Sequence, residues 1–267
     1  MTRYVFDNAS EQPTAQRFAN LERLYDGRTI AALEKTGVAA GWRCLEVGAG
    51  SGSIATWLAD RVGPSGQILA TDIDPRFLET LASENRPNVE VRRHDIATDP
   101  LPERAFDLIH ARLVLLHVPA APAVLARLVT ALRPGGWLVV EDFDPTFIDR
   151  SFPVTDPAQA AVIHAAYAAL GTLIDRSGAG RGWARGLSGH FMAAGLDDVA
   201  AEGHLSIRSG GSPGAQLDAV NFAQVRNALI DGELLTTEVL DATLQLLGDA
   251  GCMVSSPMMF TAWGRRP

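Results

Sequence analysis

Between positions 43 and 141 short apolar runs alternate with stretches of helical periodicity. The runs cover 43–47, 67–71, 89–92, 106–111 and 137–141, and most carry β-branched residues. None alternates cleanly between apolar and polar positions, so each reads as a strand covered on both faces, the habit of a parallel sheet between helices. Asp74 followed by Pro75 supplies an N-cap and a first helical residue with its φ already set, and that helix ends near Asn85–Pro87. A second helix over 120–132 meets Arg133-Pro134-Gly135-Gly136, a stop expected before the next strand begins. Repeated units of this size predict a doubly wound, Rossmann-like α/β sheet.

Outside this core the pattern changes. Phe18, Leu21, Leu24 and Tyr25 recur at helical spacing and predict an amphipathic helix ahead of the first strand. Ala-rich helices are expected over 156–175 and 183–194, with strands over 199–207 and 258–263. Between those strands, residues 212–251 open on a Gly/Ser/Pro turn and continue with leucines and valines at helical spacing. Forty residues are too many for a hairpin loop, so this stretch reads as a helical cap insertion. The expected organisation is an N-terminal helical cap (1–40), a cofactor-binding α/β core (41–145), helices and a sixth strand (146–211), the helical insertion (212–255) and a last strand (256–267). The insertion has three readings: a lid over an acceptor pocket, a homodimer contact, or added core thickness.

Composition narrows the functions available. The 267 residues are 47% hydrophobic, enough for a substantial core. No apolar run is long enough in sequence to suggest a bilayer span, and the first ten residues hold no apolar signal region, so a cytoplasmic protein without membrane partners is expected. A net charge of −8 with scattered arginines argues against nucleic acid as a partner. Cys44 and Cys252 have no metal-ligand spacing, so no metal is expected and both read as buried thiols.

The most informative segment is Glu46-Val47-Gly48-Ala49-Gly50-Ser51-Gly52-Ser53. A strand entering closely spaced glycines and leaving as a helix presents bare backbone and free N–H groups to a ligand. The loop reads G-x-G-x-G, with Ser53 where the dinucleotide fingerprint has its third glycine, which leaves NAD open. About 20 residues on, Ala70-Thr71-Asp72-Ile73-Asp74 puts a carboxylate at a strand tip, suited to ribose hydroxyls. Asp74 reads better as a cap. His94-Asp95-Ile96 follows the third strand, and Phe106-Asp107-Leu108-Ile109-His110-Ala111-Arg112 ends the fourth on the same rim.

Together with Leu132-Arg133-Pro134-Gly135-Gly136-Trp137-Leu138, these segments resemble the class I S-adenosylmethionine-dependent methyltransferases, and among them the small-molecule enzymes of bacterial quinone and natural-product pathways. The resemblance covers about residues 42–142. It implies a seven-stranded, mostly parallel sheet with an antiparallel last strand, and S-adenosyl-L-methionine as cofactor. It also implies that Gly48, Ala49, Gly50 and Gly52 underlie the methionine end with Glu46 close by. Asp72 would hold the ribose, Ile73 and Ile96 the adenine faces, and Asp95 the adenine edge. Ala111 and Arg112 would flank the sulfonium, and the first helix, with Tyr4 or Tyr25, would close over the cofactor. The acceptor is then a small molecule, and His117 and Arg112 are the catalytic candidates, His117 as base and Arg112 as partner of an acidic group. His110, His164, Glu141 and Asp142 are further candidate bases, with His110 reading as a core histidine. Arg112 stands where amide- and amine-methylating relatives carry an Asn/Asp-Pro-Pro-aromatic motif, and pairing with Glu141 or Asp142 is its ordinary alternative. Two other activities share these motifs: use of the cofactor without methyl transfer, as in a cyclisation, and NAD(P)-dependent oxidoreduction, which the lack of a Tyr-x-x-x-Lys pair disfavours.

Overall fold

The helix expected ahead of the first strand runs over Glu11–Lys35 (α1) in the computed structural model, which describes residues 11–177, 180 and 182–267. Five strands follow: β1 (Arg43–Val47), β2 (Gln67–Asp72), β3 (Val89–Arg93), β4 (Phe106–Arg112) and β5 (Leu132–Asp144). Helices α2 (Ser53–Val62), α3 (Glu79–Ser83) and α4 (Ala121–Ala131) connect them. Beyond β5 come α5 (Pro157–Ser177), α6 (Leu187–Ala193), β6 (Asp197–His204), β7 (Ile207–Ser209), α7 (Pro213–Asp231), α8 (Thr237–Gly248), β8 (Met253–Ser255) and β9 (Met258–Arg265).

Seven strands form one sheet in the order β3-β2-β1-β4-β5-β9-β6. The first five pair in parallel, and β9 runs antiparallel to both β5 and β6. This is the expected doubly wound sheet with its antiparallel last strand. The order turns at β1, whose neighbours β2 and β4 lead outward in opposite directions. The carboxyl end of β1 is therefore the crevice where such sheets take ligands, and the glycine loop leaves the sheet there. Cys44, Leu108 and Val139 face α2 and the second half of α1. Leu45, Ile109 and Val140 face α4 and α6. Burying side chains of this size contributes about 1.5–3 kcal/mol each, which is what the two-sided apolar runs are for.

Three details depart from the sequence pattern. The Pro-Gly-Gly stretch lies inside β5 rather than stopping short of it. Gly135 N–H donates to the Arg266 carbonyl and Arg266 N–H to the Gly136 carbonyl, each at 2.8 Å, so the chain's last residues recruit it as strand. The run over 199–207 divides, because Ser206 and Ser256 clasp each other (Ser206 N–H to Ser256 Oγ, 3.0 Å; Ser256 N–H to Ser206 O, 2.8 Å). Past that clasp β7 leaves the sheet and pairs with β8. The helical cap is also larger than the insertion. Ile163, Ala166, Tyr167 and Leu170 of α5 share a buried cluster with Phe222 and Leu229 of α7 and Leu240 of α8. By length and composition α5 (mean hydropathy 1.3 over Pro157–Arg176) is apolar enough to cross a membrane, unlike the expectation from sequence. Part of its apolar surface is this cap core.

Candidate active site

At the rim, the loop between β1 and α2 is held by the end of β2. Ala49 N–H donates to the Thr71 carbonyl (2.9 Å) and Gly50 N–H to Asp72 Oδ2 (3.0 Å). The other carboxylate oxygen of Asp72 accepts the Asp74 N–H at 3.0 Å. Asp72 is partly buried, and burial is the main cause of a pKa raised above the ordinary carboxylate value. A carboxylate offers about four acceptor positions, so one that takes the glycine loop on one oxygen and its own strand-end turn on the other keeps acceptor capacity for hydroxyl donors. Ile73 beside it is 57% exposed, an apolar face presented to solvent at the strand tip. Asp74 is the cap, its side chain accepting from Arg76 N–H (3.3 Å).

The glycines answer different needs. Gly50 has φ +57°, and a Cβ there would fall 3.0 Å from the Phe18 ring of α1. Its bare backbone is roofed by that aromatic, which packs edge-on against Phe77 (5.2 Å). Gly52, also at positive φ, faces Leu78 and Leu81, and its missing side chain serves packing beneath the loop. Val114 covers Gly48, while Glu22 of α1 binds the Ser51 hydroxyl. Asp95 folds back to accept Ala97 N–H (2.9 Å), beside a buried Ile96. A strand-tip carboxylate, an exposed apolar face and a glycine cradle that a side chain would fill suit a ribose, an adenine and an amino-acid tail, so the residues present fit S-adenosylmethionine.

Glu46 faces elsewhere. It is 3% exposed, and both its oxygens lie on His110 Nδ1 (2.9 and 2.7 Å). His110 Nε2 meets Glu141 Oε2 at 3.2 Å, and Glu141 also accepts from Thr29 (2.5 Å) and Thr261 (2.8 Å). Arg112 donates to Thr29 (2.9 Å) and pairs with Asp26 at 2.9 Å. The result is a buried row from β1 through β4 and β5 to β9, closed by α1. Burial alone would lower the His110 pKa, but Glu46 and Glu141 outweigh it and raise it to about 9; the same contact lowers Glu141 against its own burial. His110 is thus a satisfied core imidazolium. Arg112 has neither of its expected carboxylate partners but Asp26, which sequence reading did not single out, and its charge is engaged under α1. Ala111 is fully buried in the core.

The other candidates divide. Burial holds His117 neutral, with a pKa lowered to about 3 and the Arg17 charge adding to the effect. A base works best with a pKa near the operating pH, so His117→Asn is expected to leave the pH dependence of turnover between about pH 5 and 9 unchanged. Loss of a pH limb in that variant would return His117 to the role of base. Burial pushes Asp142 up to about 8, and its Oδ2 accepts the Trp183 indole N–H at 2.8 Å. His164 pairs with Asp149 (3.1 Å) while largely exposed. Tyr25 is buried, its ring edge-on to Phe143 (5.4 Å); Tyr4 lies outside the described residues. Among the described residues no group of three or more His, Cys, Asp or Glu is placed to hold a metal ion. Asp26, Thr29, Arg208 and Asp218 complete the polar interior, and no local pattern marked them, because each acts through a partner distant in sequence.

Comparison with known proteins bears on the same residues. Residues 45–140 match the methyltransferase domain family. Over 104 residues the chain is 39% identical to methyltransferase str2 of Strobilurus tenacellus, covering 38% of this chain and 36% of that protein. Over 128 residues it is 30% identical to the ubiquinone/menaquinone biosynthesis C-methyltransferase UbiE of Pseudomonas putida, covering 46% and 49%. The chain thus spans between about a third and a half of the length of these curated relatives. Among solved structures, a phosphoethanolamine N-methyltransferase 2 of Haemonchus contortus, in complex with phosphomonomethylethanolamine and S-adenosylhomocysteine, superposes with a TM-score of 0.59 at 15% identity, over 100% of this chain and 60% of that one. The [4+2]-cyclase SpnF superposes at 0.54 with 19% identity, over 91% and 80%. At these identities the likeness is one of fold.

Proposed function

We propose, from the premise that residues 45–140 are a class I S-adenosylmethionine-dependent methyltransferase domain, that this chain transfers a methyl group to oxygen, nitrogen or carbon of a small molecule, in bacterial secondary or quinone-type metabolism in the cytoplasm. Asp72 carries the reading: a strand-tip carboxylate that anchors the glycine loop through Gly50, closes its own turn through Asp74 and keeps acceptor capacity for a ribose. When bound, the cofactor supplies a methyl group already activated on a cationic sulfur. The chain's own work is then alignment and exclusion of water. Gly48, Ala49 and Gly50 seat the methionine end, Ile73 and Ile96 take the adenine faces, and Asp95 its edge. Glu46 acts at one remove: with His110 it fixes the strand from which the loop departs. Phe18 and Tyr25 of α1 and the helices over 212–255 cover the rim.

The test is release of S-adenosylhomocysteine by the purified protein with phenols, carboxylic acids, amines, tRNA and histone peptides as acceptors. Turnover is expected with a small molecule and not with the polymers, which an acidic surface disfavours. Methylation of tRNA or peptide alone would overturn the substrate class. Consumption of a small molecule without S-adenosylhomocysteine would favour cyclisation.

A further inference from the structure

We infer that the buried guanidinium of Arg208, with the Tyr25 hydroxyl beside it, forms a subsite for an oxyanion, a carboxylate or phosphate, carried by the methyl acceptor. That the anion belongs to an acceptor rests on the function proposed above; the subsite itself rests on a charge imbalance inside the cap.

Asp218 of α7 is 4% exposed, and its Oδ2 serves three donors: Arg150 Nη2 at 2.6 Å, the Tyr167 hydroxyl at 2.9 Å and Arg208 Nη2 at 3.3 Å. Arg150 is well used. Its Nε donates to the Ser255 carbonyl (2.8 Å), and its guanidinium lies 3.6 Å from the centre of the Tyr167 ring. Arg208 is not. It is 9% exposed, its single contact to Asp218 is the longest of the three, and its Nε and Nη1 make no aligned hydrogen bond among the described residues. The Tyr25 hydroxyl, 5% exposed, lies against the Arg208 guanidinium and helps to hold its charge, but makes no aligned hydrogen bond among the described residues. Burial raises the pKa of both phenols, so neither supplies a negative charge at neutral pH. Two guanidiniums then face one carboxylate.

The surroundings deepen the imbalance. A Cβ on Gly214 would fall 2.0 Å from Arg208 Nη1 and 2.4 Å from Cδ, so the guanidinium rests in a slot that glycine alone leaves open, on the first turn of α7. The amino end of a helix carries partial positive charge and repels a cation placed there. Arg208 relies on a carboxylate that it shares with Arg150, and a buried charge is costly where its partner is shared; a partner of its own would have the chemistry of an oxyanion, whose two oxygens match the planar donor fork of arginine. The position also fits. Tyr25 is buried with Leu21, Leu217 and Met259, a cluster against which Leu113 and Phe143 pack, and its ring touches Phe143, next to the last residue of β5. Seven residues earlier on α1 stands Phe18, over Gly50; two helical turns place the rings about 10 Å apart, a span suited to a small acid reaching from glycine loop to cap. Arg112, the arginine that sequence favours for this role, is engaged by Asp26 and Thr29.

The experiment compares the intact protein with Arg208→Met, which keeps the slot filled by an unbranched chain. Benzoate, phenyl phosphate and the neutral control benzamide are titrated calorimetrically, with and without saturating S-adenosylhomocysteine. The wild type is expected to bind at least one anion and not benzamide. R208M should bind that anion at least tenfold more weakly, with S-adenosylhomocysteine affinity unchanged and an anion-free Tm equal to or above wild type. Failure of the wild type to bind either anion, or equal anion affinity in both proteins, overturns the subsite. If R208M is less stable or unfolded, Arg208→Lys decides: it keeps the charge without the fork, a tenfold loss supports the subsite, and undiminished affinity makes Arg208 a structural cross-link. If the anion binding is lost in the variant but the wild type never binds S-adenosylhomocysteine, the oxyanion subsite stands and the methyl-transfer reading falls.

Discussion

Replacing His110 by leucine is expected to destabilise the fold by about 3–5 kcal/mol, the usual cost of removing one partner from a buried ionic group. The size of the effect follows from what stays behind. Glu46 and Glu141 are 3% and 2% exposed, and without the imidazolium each must hold a charge in the interior or take up a proton. Domains of this kind have about 5–15 kcal/mol in total, so the variant sits near the edge of folding. Urea denaturation of wild type and H110L measures the difference, and a loss below about 1 kcal/mol would mean that Thr29 and Thr261 suffice for Glu141 and that Glu46 is accommodated without an ionic partner. The same group predicts a pH signature. Its folded pKa lies near 9, above the unfolded value of 6.5. Its contribution is therefore complete below pH 6.5 and is lost as the pH rises through 9. Wild type should lose on the order of 3 kcal/mol across that window, and H110L should show no such slope.

Asp72→Ala is expected to weaken S-adenosylmethionine binding at least tenfold. A hydrogen bond to a charged group contributes about 1.5–3 kcal/mol, and about 1.4 kcal/mol already makes that factor. The variant also releases the Gly50 and Asp74 N–H groups, so the loop loses its anchor together with the ligand. Gly50→Val should weaken binding further, since its φ of +57° is poorly tolerated by a β-branched residue and its side chain would meet the Phe18 ring. Titration calorimetry on both variants checks this. Unchanged affinity in both would remove the assignment of the loop, and tight NADH binding by the wild type would replace the cofactor.

The sheet was legible because its signals are local. Strands apolar on both faces, a glycine loop, a carboxylate at the next strand tip and Asp74-Pro75 at the start of the 3-10 turn (Pro75–Leu78) that leads into α3 each depend on neighbours within a few positions. The polar interior was not, because its partners are remote: Thr29 with Glu141, Arg112 with Asp26 and Arg150 with Asp218 join residues that no spacing relates. Arg112 illustrates the difference. Its place at the end of β4 was readable, but the direction of its side chain depends on where α1 crosses the sheet. The extent of the cap was hidden likewise, since α5 carries apolar surface that only the packing of α7 and α8 explains.

α1 is one rod of 25 residues, about 37 Å long at 1.5 Å per residue. It is fastened to the glycine loop through Phe18 and Glu22, to the tip of β5 through Tyr25, to the buried row through Asp26 and Thr29, and to β6 by the Lys35–Glu202 pair. A stiff rod cannot yield at one fastening without loading the next. Whatever comes to rest on the Gly50 backbone shares its space with Phe18, and the load reaches Tyr25 two turns along, beside Arg208. The two ends of the rim are therefore one thermodynamic system. Any coupling that the helix carries between them acts equally in both directions, so an occupant at one end changes the affinity at the other by the factor it receives in return.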